Sequence, residues 1–556
     1  MLALSGFLLI CLSIFAAQLG LAHNTDWGSS RILILTVGIS VLGMSFFAST
    51  FRRQSAYILT TSSLLLVLVI YIFIVTAGQR INLPETTHYY DDLATAFRSG
   101  HLYLNEQPPA ALLALPNPYD PQARKSDPAL AAYIVDHEWD LTLYHGRFYM
   151  YWGPAPALLL SIIKLFYSGL IGDQVLAFLF CWGALVFQTL LLIKIWTRFF
   201  PNLPGWTIPL GITTAGLMVP IVWMLHLPRI YQAAIFGCQF FLLAGIYFAY
   251  TAFEKETIRT ANLLAAGLLW ALAIASRTTN LGSALFLIGA VVFMLIKYYY
   301  RTGKQAGLAF RLAAITIPAA VTLGALGWYN AARFGSIMEF GLRYQLTLSN
   351  LDQNHDQVFS LKYVLPNLYN YMIMPFQTQA RFPFLKAQAG IVPGFLEGLS
   401  LSFYQKEEIT GILSSAPFLI FIFWPAVSLM QWFTRKRTGT QTSGHFMEDP
   451  PTLYRWISIS LLGASIISFS ILLLTFFVTM RYMADFMYTM APLAVVGFWQ
   501  GYSNLKPGAK RGLFSAGGMI LSWLSIGVGL LLVISYSKPL QNTFFTFFRY
   551  VGSFFR

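Results

Sequence analysis

Charge is what this sequence has least of. Asp, Glu, Lys and Arg supply 10% of its 556 residues, against roughly 25% in an ordinary soluble domain. With 36 basic and 22 acidic side chains, a soluble body of this size lacks the polar groups to cover its surface, so the solvent is lipid. Cysteine is nearly absent as well. Cys11, Cys181 and Cys238 each sit inside an apolar run, which excludes a disulfide framework and a cysteine-based metal site. No Asn-x-Ser/Thr acceptor occurs, which argues against the eukaryotic secretory pathway. There is no P-loop, dinucleotide-binding or zinc-protease signature, so the energy for a group transfer has to come from the substrate itself. Acidic residues are the scarcer sign and leave a net charge of +14. On so apolar a chain basic residues mark topology first, and no nucleic-acid partner is expected.

What is present is apolar: 56% hydrophobic residues, 16% aromatic. A helix needs about 20 such residues to cross about 30 Å of hydrocarbon. Thirteen segments approach that: Leu2 to Leu21, Ile32 to Ser49, Ala56 to Ala77, Gln174 to Trp196, Trp206 to Leu225, Tyr231 to Phe253, Ala261 to Ala275, Leu281 to Leu295, Leu312 to Tyr329, Gly411 to Phe433, Trp456 to Val478, Asp485 to Tyr502 and Leu513 to Ser535. The first lacks a basic leader and runs straight into a second span, so it is read as an anchor rather than a signal peptide. Basic residues cluster on one side, at Arg52 and Arg53, Lys194 and Arg198, Lys255 and Arg259, Lys297 to Arg311, Arg435 to Arg437, and Lys506 to Arg511. That side is expected to be cytoplasmic. Arg31, Arg229, Arg277 and Arg481 are isolated on the other.

The expected fold class is an all-α polytopic membrane protein with about thirteen transmembrane helices and two long extracytoplasmic loops. Its organisation reads as N-terminal transmembrane helices over 1–77, a first loop over 78–173, a central bundle over 174–329, a second loop over 330–409, C-terminal helices over 410–535 and an interfacial tail over 536–556. Of the 22 acidic residues, 18 fall on the outer face and only Glu254, Glu256, Glu448 and Asp449 inside. Acidic residues contribute little to topology, so this bias points to chemistry. In the first loop Thr87 to Gly100 reads as a helix capped by Thr86 or Thr87, with Asp91 and Asp92 in its first turns. A proline-punctuated stretch follows. The apolar run opened by Pro154 and Pro156 and ending at Ile171 reads as a helix lying in the interface.

The order Tyr89-Tyr90-Asp91-Asp92-Leu93, Leu102-Tyr103-Leu104, Asn117-Pro118-Tyr119-Asp120, Trp139-Asp140-Leu141 and Tyr149-Met150-Tyr151-Trp152-Gly153-Pro154, followed by an interfacial helix, resembles the GT-C superfamily of integral-membrane glycosyltransferases. That class includes protein O-mannosyltransferases and aminoarabinose transferases. Later segments agree: Ala275-Ser276-Arg277-Thr278, Trp328-Tyr329-Asn330 with Arg333-Phe334-Gly335-Ser336, Glu339-Phe340-Gly341 with Tyr344, and Arg481-Tyr482 with Asp485-Phe486. The likeness covers most of the chain and takes the form of a bacterial branch. It implies inverting transfer of a sugar from a polyprenyl-phosphate donor to a lipid, glycan or protein acceptor at the outer face of a bacterial cytoplasmic membrane.

Such a reaction needs a carboxylate to take the acceptor proton and a cation, preferably Arg, to hold the leaving phosphate. The resemblance places the base soon after an anchor span, where Glu85, Asp91, Asp92 and, further on, Asp140 are the candidates. A common Asp-Glu pair just ahead of the tyrosines is replaced here by Thr86 and Thr87. Asp91 and Asp92 also read as first-turn acids favouring the positive helix end. Adjacent carboxylates diverge by about 100°, so at most one is the base. Candidates for the donor phosphate and sugar are Arg277, Arg481, Tyr482, Arg333, Tyr89 and Tyr149, with lipid snorkelling or an aromatic belt as the alternative readings. Arg333 and Arg343 with Glu339 also read as a structural ion-pair set. No cofactor is certain. A divalent cation is open through Asp136, His137 and Glu138 beside Asp140, although a solvated loop explains them as well. Rival functions are a transporter or flippase for a lipid-linked glycan and a catalytically inactive scaffold.

Overall fold

The computed structural model describes residues 2–16, 31, 34–39, 42, 52–78, 83–84, 86–128, 130, 140–255, 257–303, 306–396, 398, 401–434 and 450–543. Glu85, Asp136, His137, Glu138, Trp139, the Arg435–Arg437 run and the tail beyond 543 lie outside the described residues, as does most of the expected span Ile32 to Ser49.

Helices dominate. They are α1 (Leu2–Ile14), α2 (Arg52–Val75), α3 (Tyr89–Arg98), α4 (Ala155–Ile163), α5 (Asp173–Phe199), α6 (Thr207–Leu217), α7 (Ile230–Ala252), α8 (Thr260–Ser276), α9 (Leu281–Thr302), α10 (Leu308–Phe334), α11 (Val364–Met372), α12 (Phe423–Thr434), α13 (Pro450–Leu473), α14 (Ala484–Asn504) and α15 (Ala509–Tyr536). Among the described residues seven helices are long and apolar enough to cross a membrane, and three more are apolar but shorter. Their outward faces carry Phe293, Phe310, Val321, Trp328, Leu513 and Trp523, all more than 60% exposed. Water would not tolerate so much bare apolar surface on one chain, whereas hydrocarbon requires it. The chain is an all-α polytopic membrane protein.

The expected spans differ in detail. Trp206 to Leu225 is not one helix: α6 ends at Leu217, and a short helix Ile221–Met224 begins behind Pro220. Gly411 to Phe433 is also divided, into Ile412–Ser415, a 3-10 stretch Pro417–Ile422 and α12. Pro417, which lacks an N–H, stands at that break. The expected span from Asp485 is continuous as α14 but is buried on nearly every side. A helix walled in all round is a core element rather than a lipid-facing one. It packs on α13, α12, α7, α6, α5 and α15, and its first turn delivers Asp485 to the region where the two long loops meet.

Candidate active site at the junction of the two long loops

The part of the first loop that carries the site is built around a hairpin. Strands β1 (Thr142–Tyr144) and β2 (Arg147–Tyr149) pair antiparallel, joined by His145 and Gly146, both at positive φ (48° and 72°). Two successive positive φ values make the hairpin turn whose twist matches its strands, and Gly146 supplies the second at no steric cost. The second loop adds a further extended segment. Leu143 N–H donates to Tyr344 O at 2.9 Å, and Leu346 N–H donates to Leu141 O at 2.8 Å. Thr142 Oγ1 donates to Gly341 O at 3.0 Å. Asp140 opens this element and is gripped on both backbone sides, its N–H donating to Leu346 O (3.2 Å) and its carbonyl accepting from Gln345 Nε2 (3.2 Å). Its φ is +68°, a conformation that L residues leave unless their surroundings hold them in it.

Tyr231, at the start of α7, donates its hydroxyl to the Asp140 carboxylate. Burial raises the Asp140 carboxyl above its ordinary range, opposed by hydrogen bonds from Tyr231 and Thr347 and by the charge of Arg481. The Arg481 guanidinium lies 4.7 Å from the Tyr231 ring centre and 5.6 Å from that of Tyr482. It pairs with Glu407 of the second loop at 2.5 Å, and Glu407 also accepts from Thr479 Oγ1 at 2.7 Å. Tyr482 has a second cation, Arg277, 5.0 Å from its ring centre. Arg277 in turn binds Asp485, with Nε 2.9 and 3.0 Å from the two carboxylate oxygens and Nη2 at 2.9 Å. Asn280 Nδ2 donates to the same carboxylate at 3.0 Å. One continuous chain of groups therefore runs Asp140, Tyr231, Arg481, Tyr482, Arg277, Asp485, drawn from the first loop, the turn Met480–Met483 and the ends of three helices, with Glu407 of the second loop joined to it through Arg481.

The approach of the first loop to this chain is close. At Gly153 the backbone lies directly against the end of α8, where a Cβ would fall 2.6 Å from the carbonyl carbon and oxygen of Ser276, the residue before Arg277. Only glycine fits there.

Several expected site residues are placed elsewhere. Asp91 is buried against Lys164 at 2.8 Å and accepts from Ile171 N–H at 3.0 Å, so it fastens α3 to the end of α4. Asp92, on the neighbouring face, is partly exposed 3.5 Å from His88. Burial pushes its carboxyl up to about 6, the charges of Asp91, Asp173 and Glu106 adding to the rise and His88 opposing it. Neither Thr86 nor Thr87 caps α3. The cap comes from Asp173, 86 residues after Thr87, which accepts from Tyr89 N–H (3.1 Å), Tyr90 N–H (3.2 Å) and Thr87 Oγ1 (2.6 Å). Tyr89 is buried and stacks on Trp152. Tyr149 packs edge-on against Tyr103 and Phe334.

The Arg333, Arg343 and Glu339 set does not form. Arg333 is buried, donating to Met150 O at 2.6 Å and Asn330 Oδ1 at 2.9 Å and lying over the Tyr329 ring. Arg343 pairs with Asp352, and Glu339 accepts from Gly341 N–H. Arg277 is not a lone cation in an apolar hairpin, because Asp485 neutralises it. Sequence reasoning missed Tyr231, Glu407, Asp173 and the role of Asp485. For the two aspartates a signal existed, since each is an acid in the first turn of an apolar helix. Tyr231 and Glu407 carried none. Among the described residues no group of three or more His, Cys, Asp or Glu is placed to hold a metal.

Asp173→Ala strands two buried backbone N–H groups and a hydroxyl. The expected result is a loss of about 2 kcal/mol or more, read as a lowered unfolding midpoint of the purified protein, with Asp173→Asn recovering part of it. An unchanged midpoint in the alanine variant would show that the cap is dispensable.

No protein-family model and no curated protein matches the chain. Among solved structures it is similar to the Archaeoglobus fulgidus oligosaccharyltransferase in its apo form (12% identity, TM-score 0.43, covering 86% of this chain and 56% of that one). It is also similar to the archaeal oligosaccharyltransferase AglB from Archaeoglobus fulgidus in complex with an inhibitory peptide and a dolichol-phosphate (11% identity, TM-score 0.40, covering 86% and 56%). The chain spans little more than half the length of the solved structures it matches.

Proposed function

We propose that the chain is a membrane glycosyltransferase of the GT-C type, moving a sugar from a polyprenyl-phosphate donor to an acceptor on the outer face of the membrane. Asp140 is its base and Arg481 its contact to the donor phosphate. The observation that carries the reading is the setting of Asp140: a carboxylate held at positive φ by backbone bonds from both sides, desolvated, and tied through Tyr231 to a largely buried arginine. Strain and desolvation of this kind concentrate at functional sites.

In the transfer the acceptor hydroxyl oxygen attacks the anomeric carbon and its proton passes to the Asp140 carboxylate. The bond from anomeric carbon to phosphate oxygen breaks with its electron pair leaving on the phosphate, and attack from the opposite face inverts the carbon. Arg481 suits the leaving group because its Nε is buried without a hydrogen-bond partner even though Nη1 holds Glu407. A buried donor left open is costly in a resting site and becomes useful when an anionic oxygen arrives. Arg277 is committed to Asp485 and makes no contact of its own with the donor phosphate.

The reading is tested by incubating the purified protein in bilayer discs with a panel of polyprenyl-phosphate sugars and candidate acceptors across pH. A base must be ionised, so transfer should fall as pH drops through the raised value of Asp140, and Asp92→Asn should leave this acid limb in place. If Asp92→Asn removes the limb, Asp92 is the base. If no donor turns over at any pH, the inactive-scaffold reading replaces this one.

A further inference from the structure

We propose that α11, in the second long loop, is a membrane-seated foot: its outward stripe is seated at the boundary between headgroups and acyl chains of the leaflet on the loop-bearing side. The helix has two dissimilar faces. Tyr363, Pro366, Asn367, Asn370 and Tyr371 are buried. Asn367 Nδ2 lies 3.1, 3.1 and 2.8 Å from the carbonyls of Leu472, Leu473 and Thr475, at the C-terminal end of span helix α13. The opposite face is Leu365 and Leu368, exposed by 53% and 37%, and Leu361 in the 3-10 turn just before the helix is exposed by 81%. The spacing of three residues keeps Leu365 and Leu368 on one stripe of the helix. The neighbouring cation, Lys362, reaches back to Gln357 at 3.2 Å.

The occupant follows from continuity. Gly411 N–H and Ser414 Oγ both donate to Met374 O, at 2.7 and 2.9 Å, and so fasten the short helix Ile412–Ser415 to the end of α11. Ile373 and Leu413, both exposed, flank that joint. From there the bare apolar surface continues without a charged residue through Ile420, Phe423, Val427 and Met430. The 6 residues of the 3-10 stretch and the 12 of α12 rise about 2 Å and about 1.5 Å each, roughly 30 Å together, which is one hydrocarbon thickness. The stripe of α11 therefore begins where that layer ends. This is the depth at which an amphipathic helix seats its apolar face. The inference does not depend on the proposed reaction.

The test uses single cysteines at Leu365 and Leu368, each spin-labelled in bilayer discs, with Asp356→Cys as the water-facing control. Cys11 is replaced by Ser, whereas Cys181 and Cys238 are fully buried and stay. Both leucines are exposed in the structure, so their replacement leaves the packing intact. At Leu365→Cys and Leu368→Cys, collisions with oxygen should exceed collisions with a water-soluble nickel chelate at least threefold, with the opposite order at Asp356→Cys. Preference for the chelate at the leucine positions places them in water and overturns the proposal. Protection from both reagents places them against protein, such as a second copy of the chain, and overturns it equally.

Discussion

Asp140→Asn should lower sugar transfer by about 10²–10⁴-fold, the usual share of a positioned general base, while Asp91→Asn and Asp92→Asn act in other ways. The asparagine keeps the shape of the side chain and can still accept from Tyr231, and backbone bonds from both loops hold the residue whatever its side chain. The loss should therefore appear in kcat with KM little changed, because the interaction removed is made in the transition state. Asp91→Asn should behave as a stability variant, since Asp91 and Lys164 are both 7% exposed and Lys164 would lose its counter-charge. A tenfold or greater loss at Asp92→Asn with Asp140→Asn near wild type would move the base to the α3 face and leave Asp140 a structural corner.

Breaking the pair between Arg277 and Asp485 should be the most destabilising polar change in the molecule. Asp485 is 1% exposed and also receives Asn280, so Asp485→Leu leaves a buried guanidinium without its anion, a situation that costs about 3–5 kcal/mol. Removing both charges in Arg277→Leu with Asp485→Leu should recover much of that loss, because the desolvation cost disappears along with the attraction. A double-mutant cycle on denaturant unfolding reads both effects. A single-variant cost under about 1 kcal/mol would mean that the pair is solvated.

How much of this was legible depends on how far apart in the chain the partners are. Spans such as Gln174 to Trp196 and Leu513 to Ser535 emerge as helices because composition alone sets them. Gly100, past the end of α3 at φ +79°, is similarly local. The divergence of Asp91 and Asp92 followed from helix geometry, although which one turned inward did not. The pairs that make the site join residues 91, 74 and 208 positions apart, as Tyr231 with Asp140, Arg481 with Glu407 and Arg277 with Asp485, and nothing in the local pattern encodes them. For the same reason Arg277 looked like a lone cation and Arg333 like a partner of Glu339. Helix breaks were partly visible, since Pro417 and Pro220 stand at them, but a run of apolar residues masks a break when length is the criterion.

Gly153 gives the assembly a further property. Where two elements meet through side chains, a misplacement of half an ångström can be absorbed by a change of rotamer. Where main chain rests on main chain no such slack exists, and the spacing is fixed by the thickness of the polypeptide. The segment that follows β2 and the turn bearing Arg277 are held in this way, so the interval between the first loop and the end of α8 works as a gauge machined into the backbone, and a single added methyl group would open it.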